Sequence, residues 1–317
     1  MPVKFDIPDY KKVRVIIDTD AACEADDPFA IAHALLSPKL MVKGILAEHF
    51  NCEGSVQRSY DEIKTVLKAM GRDVPVYMGE EGAISAEDIS SDHYFDDAVS
   101  LKEKRKASPA ADFIIEEALK EDEHPLFVLC QGAITNVAVA IRKCPGIINR
   151  MTIVWIGTHG AGNVKAPFRE FNAGNDIIAA NYVLNSGADI WLVPSSVYIT
   201  VNIGIAEIEE RILPCGEIGR HLYENMVTYN NSDQAEWTKG ESWSLGDSPA
   251  VAITLNPDCG RHSMQHAPYI EEDTSSRYDE TSPLIRVYED VDSRYVLGDF
   301  ISKLRLEYLN INESSTN

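Results

Sequence analysis

The 317-residue sequence has no long hydrophobic run and far fewer basic than acidic residues. No segment approaches the ~18 uninterrupted apolar residues that a membrane-spanning helix requires, and the N-terminus has no apolar h-region of a signal peptide. The 29 Lys and Arg are outnumbered by 50 Asp and Glu, and the formal net charge of −21 would repel a polyphosphate backbone. We therefore expect a cytoplasmic protein with neither a membrane nor a nucleic-acid partner.

The cysteines are scattered, and none of the six lies in a CxxC pair. A chain of this length does not need disulfides to stabilise its fold, so we expect reduced thiols. With 44% hydrophobic residues the chain can bury a large core, and no low-complexity linker divides it. We expect residues 1–317 to form one domain, with residues 1–12 as an N-terminal extension and residues 311–317 as a disordered tail.

Short apolar runs alternate with helical patterns along much of the sequence. The run Val13–Asp18 is nearly continuous and ends in an acidic residue, which is typical of a strand buried on both faces of a parallel sheet. Further strands are predicted at Val42–Ala47, Pro75–Met78, Leu126–Cys130, Met151–Ile156 and Ile190–Val193. Helices are predicted between them at Pro28–Leu36, Val56–Met70, Ala110–Leu119, Asn136–Arg142 and Ile177–Asn185. This alternation predicts an α/β fold with a doubly wound, mostly parallel sheet, in which ligands bind beyond the carboxyl ends of the strands.

The remaining sequence is less regular. A helical pattern runs over Ile205–Thr228, and the polar, Trp-containing segment Asn230–Asp247 after it is predicted to form a lid or pocket wall. Strands are predicted near Ser263–Ile270 and at Pro283–Tyr288, followed by an amphipathic helix over Arg294–Leu309.

The loop after the first predicted strand is strongly acidic. Its five carboxylates are Asp18, Asp20, Glu24, Asp26 and Asp27. Packed in one cleft, they would repel one another unless a cation neutralised them or some stayed protonated. Oxygen ligands favour Ca²⁺ or Mg²⁺ over zinc. Capping of the helix that begins near Pro28 would account for Asp26 or Asp27 but not for all five.

The same loop resembles that of the inosine-uridine-type nucleoside hydrolases. Ile16-Ile-Asp18-Thr-Asp20, the Asp26-Asp27 pair and the helix after it look like the amino-terminal signature of that family. The resemblance covers about residues 13 to 310 in the family's order. It continues through Gly44-Ile-Leu-Ala with Asn51, Asp73-Val-Pro-Val-Tyr-Met-Gly79, Gly132-Ala-Ile-Thr135-Asn136, Gly162-Asn163, Glu170-Phe-Asn172 and Asp247-Ser-Pro-Ala-Val.

The resemblance implies a nucleoside hydrolase fold and a role for each matching residue. The implied Ca²⁺ ligands are Asp20, Asp27, Asp247 and the backbone carbonyl of Thr135. Asp26 is then the base, which agrees with the general chemistry of a carboxylate beside a metal that acidifies water. The implied ribose-binding residues are Asn51, Asn163, Glu170 and Asn172. The implied activity is hydrolysis of the N-ribosyl bond of a small-molecule riboside, in purine or pyrimidine salvage, by a homodimer or homotetramer.

The sequence departs from the family at two places. Five residues separate Asp20 from Asp26 where the usual family loop has three, so Glu24 either enters the site or lies at its edge. Gly246 stands directly before Asp247, where the well-studied members have a histidine that helps to protonate the departing base. Other residues could take over this role. The candidates for stacking on the base are Tyr229, Trp237 and Trp243, and the candidates for proton donation are His49 and His159. Each could instead have a structural role, as a packed aromatic ring or a hydrogen-bonded histidine.

Two other functions remain open from the residues alone. Asp18-Thr-Asp20 after a buried strand also matches the nucleophile pair of a Mg²⁺-dependent phosphatase of the haloacid-dehalogenase type, although the residues that follow do not continue that motif. A protein of the nucleoside hydrolase fold that binds a sugar or nucleoside without turnover would explain the missing histidine. Retention of Asp26 argues against that interpretation.

Overall fold

The structure, a computed structural model, describes residues 5–86 and 108–309. The expected disordered tail at residues 311–317 lies outside the described residues. The strands are β1 (Val13–Thr19), β2 (Leu40–Ala47), β3 (Val76–Met78), β4 (Leu126–Cys130), β5 (Thr152–Ile156), β6 (Asp189–Val193), β7 (Asn202–Gly204), β8 (Ser242–Ser244), β9 (His262–His266), β10 (Tyr269–Ile270), β11 (Ser276–Arg277) and β12 (Leu284–Tyr288).

The α-helices of the described residues alternate with the first six strands and then cluster in the second half of the chain. They are α1 (Asp27–Leu35), α2 (Ser55–Met70), α3 (Pro109–Leu119), α4 (Thr135–Lys143), α5 (Phe171–Asn175), α6 (Ile177–Leu184), α7 (Ser195–Tyr198), α8 (Ile205–Arg211), α9 (Gly216–Asn230), α10 (Ser248–Leu255) and α11 (Ser293–Tyr308). In the described residues, no helix is long and apolar enough to cross a membrane.

The central sheet has eight strands in the order β3-β2-β1-β4-β5-β6-β12-β9. All neighbours are parallel except β9, which runs antiparallel to β12. The doubly wound, mostly parallel sheet that the sequence predicts is therefore confirmed. The order reverses at β1, which pairs with β2 on one side and with β4 on the other. In an open α/β sheet, a ligand crevice forms beyond the strand ends at this switch point.

Helices bury both faces of the sheet, and successive side chains of a strand point to opposite faces. In β1, Val15 and Ile17 join the core on one face, and Ile16 joins the core on the other. Helices α1, α2, α9, α10 and α11 pack on the first side, and α3, α4 and α6 pack on the second. Every residue of β1 is buried. This explains why its sequence is a nearly continuous apolar run rather than an alternating one.

Two predicted elements are each divided in the structure. The single helical pattern at Ile205–Thr228 forms α8 and α9, because Pro214 lies between them and cannot continue a helix. The single strand predicted near Ser263–Ile270 forms β9 and β10, which belong to different sheets. Pro268 separates these two strands and has no backbone N–H to donate to a sheet.

The segment predicted as a lid or pocket wall folds against the body of the protein. It contains a short 3₁₀ helix at Asp233–Ala235 and strand β8, which pairs antiparallel with β7. Trp243 of β8 is only 1% exposed, and its ring meets those of Tyr229 and Trp237 edge-on. Trp243 is therefore part of the core, whereas Trp237 is 51% exposed.

Candidate functional site

Two loops bring carboxylates together at the switch point of the sheet, the loop between β1 and α1 and the loop between β8 and α10. Asp20 follows β1 directly, Asp26 and Asp27 lie at the start of α1, and Asp247 precedes the first residue of α10. Ligand oxygens of Asp26, Asp27 and Asp247 all lie within 4.8 Å of one another. Residues that are far apart in sequence thus form one buried acidic cluster.

The helix-capping interpretation of this loop is wrong for Asp26. Asp26 occupies the N-cap position of α1, and Asp247 occupies the N-cap position of α10, yet neither side chain accepts a capping hydrogen bond from its own helix. Instead, one Asp26 oxygen (Oδ2) accepts a hydrogen bond from the backbone N–H of Asp247 at 3.3 Å. Both carboxylates lie at positive helix ends, which favour negative charge, and remain available for other ligands.

A small cavity of about 80 Å³ lies over the cluster. We call it the inner cavity. Its lining residues are Asp20, Cys23, Glu24, Asp26, Asp27, Gln131, Ile156, Glu170, Phe171, Asn172, Tyr198, Gly246 and Asp247. Glu24 lies in this lining and is half-buried, so the enlarged loop contributes its carboxylate to the site.

The donor set fits a hard divalent cation. Asp20 is buried, and its Oδ2 has no hydrogen-bond partner within the described part of the chain. A Cβ at Gly132 would lie 2.9 Å from the Asp20 carboxyl carbon, so the close approach of the β4 loop to Asp20 requires glycine. Several buried carboxylates with an unpaired oxygen are stable together only if charge is neutralised. All-oxygen ligation of this kind suits Ca²⁺ or Mg²⁺.

Without a cation, burial and mutual repulsion favour the protonated forms of these carboxyl groups. Burial, reinforced by the neighbouring carboxylate of Asp27, raises the pKa of Asp26 to about 7. Burial likewise raises the pKa of Asp27 to about 7 and that of Glu24 to about 8. The pKa values of Asp20 and Asp247 also rise well above their usual range, chiefly through burial and then through repulsion from Asp27. A bound cation would favour the ionised forms.

Glu170 and Asn172 form the wall opposite the cluster. Glu170 is fully buried, and its Oε2 accepts hydrogen bonds from the backbone N–H groups of Thr158 and Ala173. Its Oε1 accepts a hydrogen bond from the Tyr198 hydroxyl at 2.9 Å. Asn172 donates to the carbonyl of Ile156 at 2.9 Å and lines the inner cavity. Polar groups therefore face the carboxylate cluster across a space of small volume.

Three of the residues that resemblance assigns to the site lie outside the lining of the inner cavity. Thr135 begins α4, and its hydroxyl is engaged by Asp176 and His49, each at 2.8 Å. Asn51 is exposed, with a φ of 54°. Asn163 is exposed and accepts a hydrogen bond from the backbone N–H of Tyr278. Their implied roles in metal or ribose binding remain predictions.

The two histidines considered as proton donors do not line the inner cavity. His49 is fully buried, and burial lowers its pKa to about 4. His159 is buried between the Ser195 hydroxyl and the Phe168 carbonyl, at 2.7 and 2.9 Å. Both rings thus have structural partners.

A second, larger cavity opens beside the first. We call this space of about 820 Å³ the outer cavity. Exposed apolar side chains surround it, among them Phe168, Phe171, Ile199 and Trp237. Trp243, proposed as a stacking group from the sequence, does not line it. The residues that line both cavities are Glu24, Asp26, Phe171, Tyr198 and Gly246.

Tyr198 and Gln131 are site residues that the sequence did not single out. Gln131 follows β4, and Tyr198 ends the one-turn helix α7 after β6, so both occupy carboxyl ends of central strands. A search of every loop after a strand would have included them. Neither belongs to a recognisable motif, so nothing in the sequence pattern distinguishes them from other residues of their loops.

The structure thus combines a mostly parallel α/β sheet with an oxygen-rich acidic pocket at the switch point, where such folds bind ligands. The family model described as "Inosine-uridine preferring nucleoside hydrolase" matches residues 15–297. The chain belongs to this family, whose members hydrolyse N-ribosyl bonds. This membership confirms the family resemblance and gives no support to the phosphatase interpretation.

Two of the three relatives described here are named ribonucleoside hydrolases, in agreement with the family. The pyrimidine-specific ribonucleoside hydrolase RihB of Escherichia coli O157:H7 is 25% identical over 279 residues, which cover 84% of this chain and 85% of that protein. An uncharacterized protein of Schizosaccharomyces pombe is 31% identical over 194 residues, 57% of this chain and 61% of its own length. The solved structure of a purine-preferring ribonucleoside hydrolase from Gardnerella vaginalis has the same fold, with a TM-score of 0.75 at 22% identity, covering 93% of this chain and 99% of that one.

Proposed function

We propose that the protein hydrolyses the N-ribosyl bond of a nucleoside or related riboside, with Ca²⁺ as its cofactor and Asp26 as the general base. The observation that carries this proposal is the convergence of Asp26, Asp27 and Asp247 at the sheet's switch point, facing Glu170 and Asn172 across the inner cavity. Family membership supplies the type of bond, the resemblance to the family's motifs suggests the roles, and the convergence of these residues supports them.

The carboxylates divide into ligands and base by their surroundings. Asp20, Asp27 and Asp247 would hold the ion, which, when bound, would orient water and lower its pKa. Asp26 receives the backbone N–H of Asp247 on Oδ2, and it is the carboxylate of the cluster that also borders the outer cavity. We assign Asp26 to accept the proton of the attacking water, which leaves the water oxygen to bond to C1′.

The sugar is assigned to the inner cavity and the leaving group to the outer one. Asn172 and Glu170 would contact ribose hydroxyls, since they are the polar groups opposite the acidic cluster. The aromatic rings around the outer cavity suit a flat, apolar-faced base. The names of the relatives indicate different base preferences: one is pyrimidine-specific and another is purine-preferring. We therefore leave the choice of base to experiment.

The assay is ribose release from inosine, uridine and p-nitrophenyl riboside, measured with added Ca²⁺ and again with excess EGTA. Ca²⁺-dependent release from at least one nucleoside supports the proposal. Binding of nucleosides without any release from the three substrates would favour a sugar-binding protein that has lost turnover.

We also propose a cytoplasmic location and a homodimer or homotetramer. The location is supported by six cysteines that are all free thiols in the structure. Light scattering coupled to size-exclusion chromatography tests the assembly: a monomer at micromolar concentration would contradict it.

A further inference from the structure

We propose that Tyr198 is the hydrogen-bond donor that stabilises the departing base in this protein, in the space that Gly246 leaves open. The inference rests on the proposed function. It concerns the part of the reaction for which the family's histidine is absent, since residue 246 has no side chain that could reach the leaving group.

Gly246 and Tyr198 are complementary in shape. A Cβ placed on Gly246 would lie 3.3 Å from Cδ2 of Tyr198 and 3.3 Å from Oδ2 of Asp26. The tyrosine ring and the catalytic carboxylate therefore converge on this glycine from two sides. A side chain at position 246 would have to displace one of them.

Tyr198 is also held in place from its backbone. The Ser244 hydroxyl donates to the Tyr198 carbonyl at 3.0 Å, which ties α7 to the strand just before Gly246. The ring is half-buried, and its hydroxyl donates to Glu170 at 2.9 Å. Backbone and side chain thus place the phenol where the inner and outer cavities meet.

Among the residues that line both cavities, Tyr198 has the side chain suited to donate a hydrogen bond. Phe171 has no polar group, and Gly246 has no side chain. Asp26 and Glu24 lie beside the proposed cation, which favours their ionised, acceptor-only forms. Burial and the nearby Glu170 carboxylate raise the pKa of Tyr198 well above its usual value, so the phenol keeps its proton.

Substrate binding would redirect this donor. Glu170 accepts the Tyr198 hydroxyl in the free protein. When a ribose hydroxyl donates to Glu170 instead, rotation about the phenolic C–O bond turns the Tyr198 proton toward the outer cavity. As the C1′–N bond breaks, its electron pair goes to the base nitrogen, and the hydrogen bond from Tyr198 stabilises the negative charge that develops there. The base then takes its proton from solvent, and the water proton accepted by Asp26 returns to solvent.

The test compares Tyr198→Phe with wild type on inosine and on p-nitrophenyl riboside, which share a ribose but differ in leaving group. Loss of one preorganised donor typically lowers kcat by about 100-fold or more. We expect that loss for inosine and a change of less than about threefold for p-nitrophenyl riboside, whose leaving group needs no such help. Tyr10→Phe, which alters a tyrosine that is 81% exposed, should change neither rate.

The alternative outcomes are distinct. If Tyr198 only positions Glu170, which would contact the common ribose, both substrates lose the same factor and the proposal is wrong. If Glu24→Gln shows the leaving-group-dependent loss and Tyr198→Phe does not, Glu24 is the donor. Wild type that releases ribose from none of inosine, uridine and p-nitrophenyl riboside would overturn the proposed function itself. Thermal melting of each variant checks that the fold is intact.

Discussion

Removal of the cation should destabilise this protein by an amount that can be calculated in advance. Asp20, Asp26, Asp27 and Asp247 are buried around the inner cavity, and Oδ2 of Asp20 has no hydrogen-bond partner among the described residues. An ion that binds only the folded state at 100 times its Kd stabilises that state by about 2.7 kcal/mol. For 317 residues, the entropy of unfolding is about 0.67 kcal/mol per kelvin. The expected shift is therefore about 4 °C.

The assay is thermal melting by circular dichroism with Ca²⁺ at 100 times its Kd and with excess EGTA. Wild type should lose about 4 °C on chelation. The melting temperature of Asp27→Asn should hardly change on chelation, because this variant lacks one ligand charge. Its metal-free form should melt above metal-free wild type, because one source of carboxylate repulsion is gone. Asp61→Asn, on the exposed face of α2, is the matched control and should respond as wild type does. Equal EGTA sensitivity in Asp27→Asn and wild type would refute the assignment of Asp27 as a ligand.

Three further predictions follow from the same site. In EGTA, burial raises the pKa values of Asp18, Asp26 and Asp27 from 3.8 to about 7, so the folded state binds more protons than the unfolded state between these values. The free energy of unfolding should therefore fall as pH rises from about 4 through about 7. A melting temperature that stays constant or rises over this range would contradict the prediction. Gly246→His alone should lower kcat on inosine, because its Cβ would lie close to Tyr198 and Asp26, and the double variant Gly246→His with Tyr198→Ala should recover part of that loss. A higher kcat in the single variant would show that the histidine fits and would contradict the prediction. Asn172→Ala should lower kcat/KM by about tenfold or more, and by more than Asn163→Ala, because Asn172 lines the inner cavity whereas the exposed Asn163 accepts a hydrogen bond from Tyr278 outside it; an equal or larger loss in Asn163→Ala would contradict this order.

The fold was accessible from sequence where burial is complete. In β1, both faces are covered by helices, so the apolar run is nearly continuous, and the alternation with helices specifies a parallel sheet. The pattern failed where a single proline mattered more than periodicity. Pro214 and Pro268 each divide an element that hydrophobic spacing alone makes continuous.

The acidic half of the candidate site was accessible because it is local in sequence and chemically unusual. Asp20, Asp26 and Asp27 lie in one loop, and their mutual repulsion already indicates a cation. The leaving-group half was accessible only in part: Gly246, Tyr229 and Trp237, which the sequence analysis singled out, line the outer cavity, but Tyr198 was not foreseen. Tyr198 reaches the site only because α7 follows β6 and Gly246 leaves room for its ring, and both conditions depend on packing between segments that are distant in sequence.

The central claim is that water, activated beside Asp26, cleaves an N-ribosyl bond. The most direct measurement is the yield of free ribose and free base from the preferred nucleoside, in buffers with and without phosphate, by wild type and by Asp26→Asn. We expect equal amounts of ribose and base, no dependence on phosphate, and a turnover in Asp26→Asn that is lower by about two to four orders of magnitude while Ca²⁺ binding persists. Base release that requires phosphate and yields no free ribose, or an Asp26→Asn variant as fast as wild type, would contradict the claim.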